Sequence, residues 1–280
     1  MALGNNYASK FSPLVDEAFS IASLTNGIIN NDYDWVGVNA VNVYTIPTVA
    51  LDDYTMSGSS RYGTPSELQN DVQTLTLSQD KSFTFTIDRK QEQDTMGAMN
   101  ASAALARELR EVVIPHVDKY RIATLISNAP ASNTEVGVIS ASNAYSEFLK
   151  VMEDLDDNLA PQGGRVALVT PSFYNFIKLD SSFVHDGDRA TEISMTGQVG
   201  WIDGVPVIKA PSTYFTGTTD FVITNAIAMP SPIKLQDYKI HIDPPGINGF
   251  LVEGRLRFDA FVLTNKAYAI GVHKASNSST

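Results

Sequence analysis

A chain of 280 residues with 43% hydrophobic and 18% charged content can bury a large core in one domain or two, which excludes a disordered protein. A formal net charge of -11 argues against nucleic-acid binding through a basic surface, and the absence of cysteine excludes disulfides and thiolate metal sites. No run reaches the roughly eighteen apolar residues of a membrane span, and MALGNNYASKF has no apolar core of a secretory signal, so the expectation is a protein made and kept inside a cell.

Residues 1–35 form a polar arm with one short helix, in which Ser12 caps, Pro13 takes the first position and Leu14, Val15, Ala18, Phe19 and Ala22 make the apolar face. From Trp35 the period is two: Val36, Val38 and Ala40, then Val41, Val43 and Thr45, which predicts a strand with a bulge near Ala40. Pro47 ends it. From there to about Thr74 no apolar periodicity is sustained, a length that marks an excursion or disorder. Leu75 and Leu77, a turn at Ser78 to Lys81, and Phe83, Phe85 and Ile87 predict a hairpin. A two-stranded arm is marginal alone, so the expectation is that it lies on another subunit.

The longest helix is predicted over Asp94 to Ser127, capped by Asp94 or Thr95 and rich in alanine. Its apolar stripe runs Leu105, Leu109, Val112, Val113, Val117, Tyr120 and Thr124, with Arg107, Glu108, Arg110, Glu111, Asp118 and Arg121 mostly on the other side. Arg107 and Glu111 can pair one turn apart, and Pro115 should kink or break the helix. Such a helix is about 50 Å long, the span of a compact protein of this size, and so acts as a spine.

Ser127 to Val138 reads as a loop, followed by a mixed α/β segment from about Ser142 to Pro230. Its first helix buries Phe148, Val151, Met152, Leu155 and Leu159; the strand RVALVT, a helix opened by Pro171, a polar loop over Asp180 to Thr191, and strands at Val205 to Lys209 and Phe221 to Ala226 follow. From Tyr238 the chain is strand-like, with turns at Pro244-Pro245-Gly246 and Thr264-Asn265-Lys266, and these late strands are expected along the spine helix and near Val43.

Sites for chemistry are few. His185, Asp186 and Asp188 could offer a metal three ligands, but a polar turn is the plainer reading. Asp154 to Asn158 has the acidic spacing of a calcium loop, with Leu159 where glycine is needed and Arg165 where the closing glutamate belongs, and is rejected. His116 reads as a core histidine, and His241 and His273 have no aspartate or serine at an informative spacing. No serine elbow, P-loop or zinc motif occurs. Gly197, Gly200 and Gly204 mark turns, and Trp201 and Tyr214 read as packing residues before base-stacking ones. No catalytic residue, metal or cofactor is expected.

The order of these elements, with VNVYTIP followed by LDDY, LTLSQDKSFTFTID, REVVIPHVDKY, VALVTPSFYNFI and GRLRFDAFVLTNKAYAIGV, resembles the major capsid protein of tailed bacteriophages, the Hong Kong 97-like fold. That resemblance implies an α+β fold with an N-terminal arm (1–35), a peripheral-domain strand (36–46), an extended loop (47–88), a peripheral domain with the spine helix (89–141), an axial domain (142–230) and returning peripheral strands with a tail (231–280). It implies a virion protein, assembled in the host cytoplasm, whose pentamers and hexamers form an icosahedral shell around double-stranded DNA without reading its sequence. Scaffolding, portal and decoration proteins are the further partners it implies, and no membrane. Tyr54, Arg61, Tyr62, Gln79 and Lys81 would be the intersubunit contacts of the extended loop. Members of that family often carry a long N-terminal scaffolding region that a protease removes; with Met1 so close to the arm's helix neither an internal scaffold nor cleavage is expected, and no motif carries a covalent link onto Lys81 and Asn248 or Asn265. The alternatives are an encapsulin-like nanocompartment and, from another class, an α/β enzyme working through His185, Asp186 and Asp188.

Overall fold

The computed structural model describes residues 23–33, 35, 40–45, 48–65, 67–68, 70–94, 100–180 and 198–276. The helix expected after Ser12, residues 36–39 leading into the bulge expected near Ala40, and the His185 to Asp188 turn lie outside them.

The spine begins later than expected. Asp94 ends a short helix, α1 (Arg89–Asp94), and the spine starts at α2 (Ala101–Glu108), where the Asn100 side chain accepts from the Ser102 amide at 2.8 Å. A π-helical turn (Leu109–Val113) then leads into α3 (Ile114–Ser127). Pro115 explains that turn. Its ring would strike the Glu111 carbonyl of a regular helix, and it has no amide to donate. The backbone widens instead: the Ile114 amide donates to the Leu109 carbonyl five residues back, and the chain stays helical through the proline for about 40 Å. The extra residue also shifts the phase of everything before it against everything after. Val112 is therefore 52% exposed, while Asp118 and Arg121, expected on the outside, are buried at 1% and 0%. Arg107 and Glu111 do pair, at 3.0 Å, and the arginine's hydrogen bond holds the Glu111 carboxyl below its ordinary range.

Three sheets occur among the described residues. β1 (Ala40–Thr45) pairs antiparallel with β2 (Asp71–Thr76), Val41 opposite Leu75 and Tyr44 opposite Val72. β3 (Gln79–Asp88) pairs instead with β10 (Gly249–Phe258), whose other edge takes β9 (Ile233–Ile242). The expected hairpin of β2 and β3 is thus a corner between two sheets. The corner has a cause in Ser78, whose amide donates to the Asp259 carboxylate at 2.7 Å and so leaves the β2 ladder. The Pro244-Pro245-Gly246 turn joins β9 to β10 as expected. At its end Gly249 has φ 150°, and a Cβ there would overlap the Ile87 carbonyl and the Arg89 amide. Since backbone cannot move aside as a side chain can, Gly249→Ala is expected to cost about 1–3 kcal/mol in urea unfolding.

The third sheet has the order β4-β11-β8-β5-β7-β6. Its strands are β4 (Thr134–Gly137), β5 (Arg165–Val169), β6 (Gln198–Ile202), β7 (Val205–Lys209), β8 (Thr219–Asn225) and β11 (Ile270–Ala275). Asp203 and Gly204, with φ of 49° and 75°, make the two-residue turn between β6 and β7. Two helices cover the sheet, α4 (Ala144–Asp157) and α5 (Pro171–Leu179). Phe148 and Phe173 meet Phe221 of β8 at ring distances of 5.5 and 4.5 Å. Leu159, expected on the buried face of α4, lies beyond its end at φ 57° and is exposed.

The late strands divide. β9 and β10 lie along the spine, where Tyr238, Val252, Leu256 and Phe258 pack on Leu105, Leu109, Val113 and Val117. β11 does not, and enters the six-stranded sheet between β4 and β8. Ile270, Gly271, Val272 and His273 are all buried, a continuous run that suits an interior strand and not a half-buried one. The segment expected to be a loop after Ser127 therefore carries a strand, β4, because β11 offers it an edge.

Candidate interaction surface

β1 and β2 are the stem of the arm, and the described residues between them are irregular. One face of the stem is apolar and buried through Val43 and Leu75; the other presents Tyr44 opposite Val72, both exposed. Asn42 and Thr74 hold that face together with a 2.9 Å hydrogen bond. Beyond the stem the Thr55 amide donates to the Arg61 carbonyl at 3.0 Å, the Gly63 amide to the Ser60 carbonyl at 3.2 Å, and Arg61 Nε to the Gly58 carbonyl at 3.3 Å. Tyr54 and Tyr62 meet edge to face at 5.1 Å. These contacts are local. Leu51 (101% exposed), Met56 (88%) and Tyr62 (86%) join Val49, Tyr54 and Leu68 in projecting from the molecule. Scattered exposed apolar residues are ordinary, but a series of them on one protruding segment marks an interaction surface.

Of the five residues expected to make contacts, the fold brings Tyr54, Arg61 and Tyr62 together at the tip. Gln79 and Lys81 are not in the loop: both belong to β3, opposite Phe258 and Leu256 of the three-stranded sheet. Next to them Asp80 takes a bidentate pair from Arg255 at 2.9 and 2.6 Å, which lowers its pKa. Lys81 acts instead on His116, whose pKa falls, first through partial desolvation and then through the lysine's charge. His116 is not a core histidine. It is exposed, with its ring edge-on to Phe258 at 6.0 Å.

The base of the arm is fixed to the body. Trp35 stacks on Phe261 at 5.5 Å, in a small cluster with Val43, Leu75, Leu77 and Leu263. Gln73 Nε2 donates to the Val262 carbonyl at 2.9 Å, and its Oε1 accepts from the Thr264 amide at 3.0 Å. Asp259, 2% exposed, accepts from Ser78 through Oδ2, and through Oδ1 from Tyr120 Oη and the Ala260 amide, both at 2.8 Å. Burial, and then Asp259, raise the Tyr120 pKa. From Asp259 a buried polar chain runs back along the spine. Its carbonyl accepts from Ser231 Oγ at 2.7 Å, Ser231 accepts from Arg121 Nε at 2.8 Å, and Arg121 Nη1 donates to Thr25 Oγ1 at 3.0 Å. Thr25, Ser23 and the Leu24 amide all donate to Asp118. Desolvation pulls the Arg121 pKa down to about 10 against the opposing charge of Asp118.

The remaining candidates gain partners that spacing did not reveal. His241 Nε2 lies 3.3 Å from Glu253 of the neighbouring strand, and His273 Nδ1 lies 3.0 Å from Asp220 of β8, with Glu147 at 3.8 Å from Nε2. The rejected calcium stretch is helix α4 and its end, where Asp156 pairs with Arg165 at 2.7 Å. Burial raises the Asp154 pKa, and so does Glu135 facing it from β4. The folded state thus holds this proton more tightly than the unfolded chain, a stabilising contribution present in acid and lost as pH rises through the folded pKa. Asp154→Asn is expected to raise the stability at pH 7, by no more than about 1 kcal/mol after solvent screening, with the advantage vanishing in acid, as urea unfolding at the two pH values would read. Trp201 is half exposed on the edge strand β6, and so is not a core residue. Among the described residues no three ligating side chains converge on a metal position, and no helix is long and apolar enough to cross a membrane.

No family model matches the sequence, and no curated protein matches it. Solved structures do match the fold. A structure from Mycobacterium phage Che8 superposes with a TM-score of 0.68 at 16% identity, covering 90% of each chain. The capsid structure of cyanophage P-SCSP1u gives 0.64 at 11%, covering 86% of this chain and 85% of that one. A virus-like particle from Pyrococcus furiosus gives 0.57 at 12%, covering 96% and 100%. The chain has the α+β fold of phage capsid proteins, over nearly its whole length.

Proposed function

We propose that the chain is the shell subunit of a phage head, which assembles with its own copies into pentamers and hexamers of an icosahedral shell around double-stranded DNA. The observation that carries this reading is the arm: a stem anchored at its base, ending in exposed apolar side chains that, among the described residues, join none of the apolar clusters of the body. In an assembled shell those side chains lie on a neighbouring subunit, with Tyr54, Arg61 and Tyr62 as contacts. The six-stranded unit is the part that meets its copies at the five-fold and six-fold axes. The negative net charge suits a container that holds DNA without binding it tightly. Scaffolding, portal and decoration proteins are its further partners, assembly takes place in the host cytoplasm, and catalysis has no part in it.

Electron microscopy with sedimentation velocity on the purified protein tests this. Closed particles tens of nanometres across are expected; a small closed oligomer under every condition would return the question to an α/β enzyme. The likeness to the Pyrococcus furiosus particle favours one second reading, a nanocompartment around a protein cargo. Nuclease-protected DNA inside the particles separates the first reading from the second.

A further inference from the structure

We infer that Asp259 and Gln73 are the positioning residues of the arm, two latches that set its direction relative to the spine helix. The inference rests on the shell reading, because a direction matters only if the tip must reach a defined place on another copy. The stem meets the body at a corner, and both latches sit there. At the corner Ser78 gives its amide not to the β1–β2 ladder but to Asp259 Oδ2, while the other oxygen of the same carboxylate holds Tyr120 of the spine. Five residues earlier, the carboxamide of Gln73 bonds a carbonyl and an amide of residues 262 and 264, as a neighbouring strand would. The arm is therefore tied by directional hydrogen bonds on both sides of the Trp35 and Phe261 stack, which alone would let it slide.

The chemistry makes one of these bonds separable. In Asp259→Asn the remaining oxygen stays on the side with two donors, Tyr120 Oη and the Ala260 amide, and the new amino group faces the Ser78 amide. Tyr120→Phe removes a hydrogen bond from the other oxygen of the same carboxylate, with the hydroxyl's contacts to the Ser78 and Gln79 side chains, and leaves Oδ2, the acceptor of the Ser78 amide, in place. Gln73→Met keeps the side chain's length and removes the second latch.

The experiment compares these three variants with wild type by hydrogen exchange of the Ser78 and Thr264 amides, by Trp35 fluorescence anisotropy in a Trp201→Phe background, and by yield of closed shells. Asp259→Asn is expected to speed Ser78 exchange roughly tenfold, Gln73→Met to do the same for Thr264, and both to lower anisotropy and shell yield. Tyr120→Phe should leave exchange and shells as in wild type. Released amides with wild-type shells would overturn the positioning role, as would amides that stay protected in both variants. If Asp259→Asn does not fold, Gln73→Met decides by the same readouts. If wild type forms only a small closed oligomer under every condition, the shell reading fails; unchanged arm anisotropy in the variants would then overturn the latches independently.

Discussion

Replacing residues 49–68 with a short Gly-Ser linker is expected to yield a folded subunit that no longer closes into shells. The replaced residues contribute nothing to the three apolar clusters, so folding loses little burial, and the melting temperature should move by no more than about 3 °C, the equivalent of roughly 1 kcal/mol in a chain of this size. The cut keeps Thr45 and Asp71, the last paired residues of the stem, and with them the anchors at Gln73 and Ser78. Sedimentation velocity should show the shell peak replaced by slower species, while circular dichroism is unchanged. Loss of folding would place the excursion in the subunit's own core. Intact shells would remove the arm from assembly altogether.

Asp118→Ala should be the more destructive change to the subunit itself. Asp118 is 1% exposed and accepts from Ser23 Oγ, Thr25 Oγ1 and the Leu24 amide, so its removal strands two buried donors and a partly buried one and deprives the Arg121 guanidinium of the opposing charge of Asp118. Breaking a buried charged cluster from one side costs about 3–5 kcal/mol, which corresponds to roughly 10 °C in melting temperature. Arg121→Met is expected to cost less. Burial already opposes the arginine's charge, and Asp118 keeps all three donors when the cation is gone. Denaturant midpoints of the two variants check the ordering; a costlier Arg121→Met would mean that the guanidinium, and not the carboxylate, holds residues 23–25 to the spine.

Much of the candidate surface was legible before the structure. The excursion announces itself as a long stretch without apolar period, and Tyr54, Arg61 and Tyr62, three of the residues expected to make contacts, lie together at its tip. The latches were not legible. Gln73 and Asp259 are 186 residues apart in the chain, one an ordinary polar residue within β2 and the other just past the end of β10, and only their shared corner gives them a role. His273 and Asp220 were missed for the same reason. Their strands pair across the sheet, so no spacing along the chain records that the two side chains meet.

The spine shows the division within one element. The alanine run and the period of Leu105, Leu109, Val113 and Val117 specify a helix and its buried face, because propensity and periodicity are local properties of consecutive residues. Pro115 marks the irregularity. How the backbone absorbs it, by widening one turn, decides which of Val112, Asp118 and Arg121 face inward, and that depends on the sheet and the residues 23–25 packed against them. The composition, the strand and helix periods and the unpatterned excursion thus determined the kinds of element and the class of protein. Which strand β3 and β11 pair with, and where the arm is tied, depended on edges and partners brought from distant parts of the chain, whose energies appear only once the tertiary contacts form.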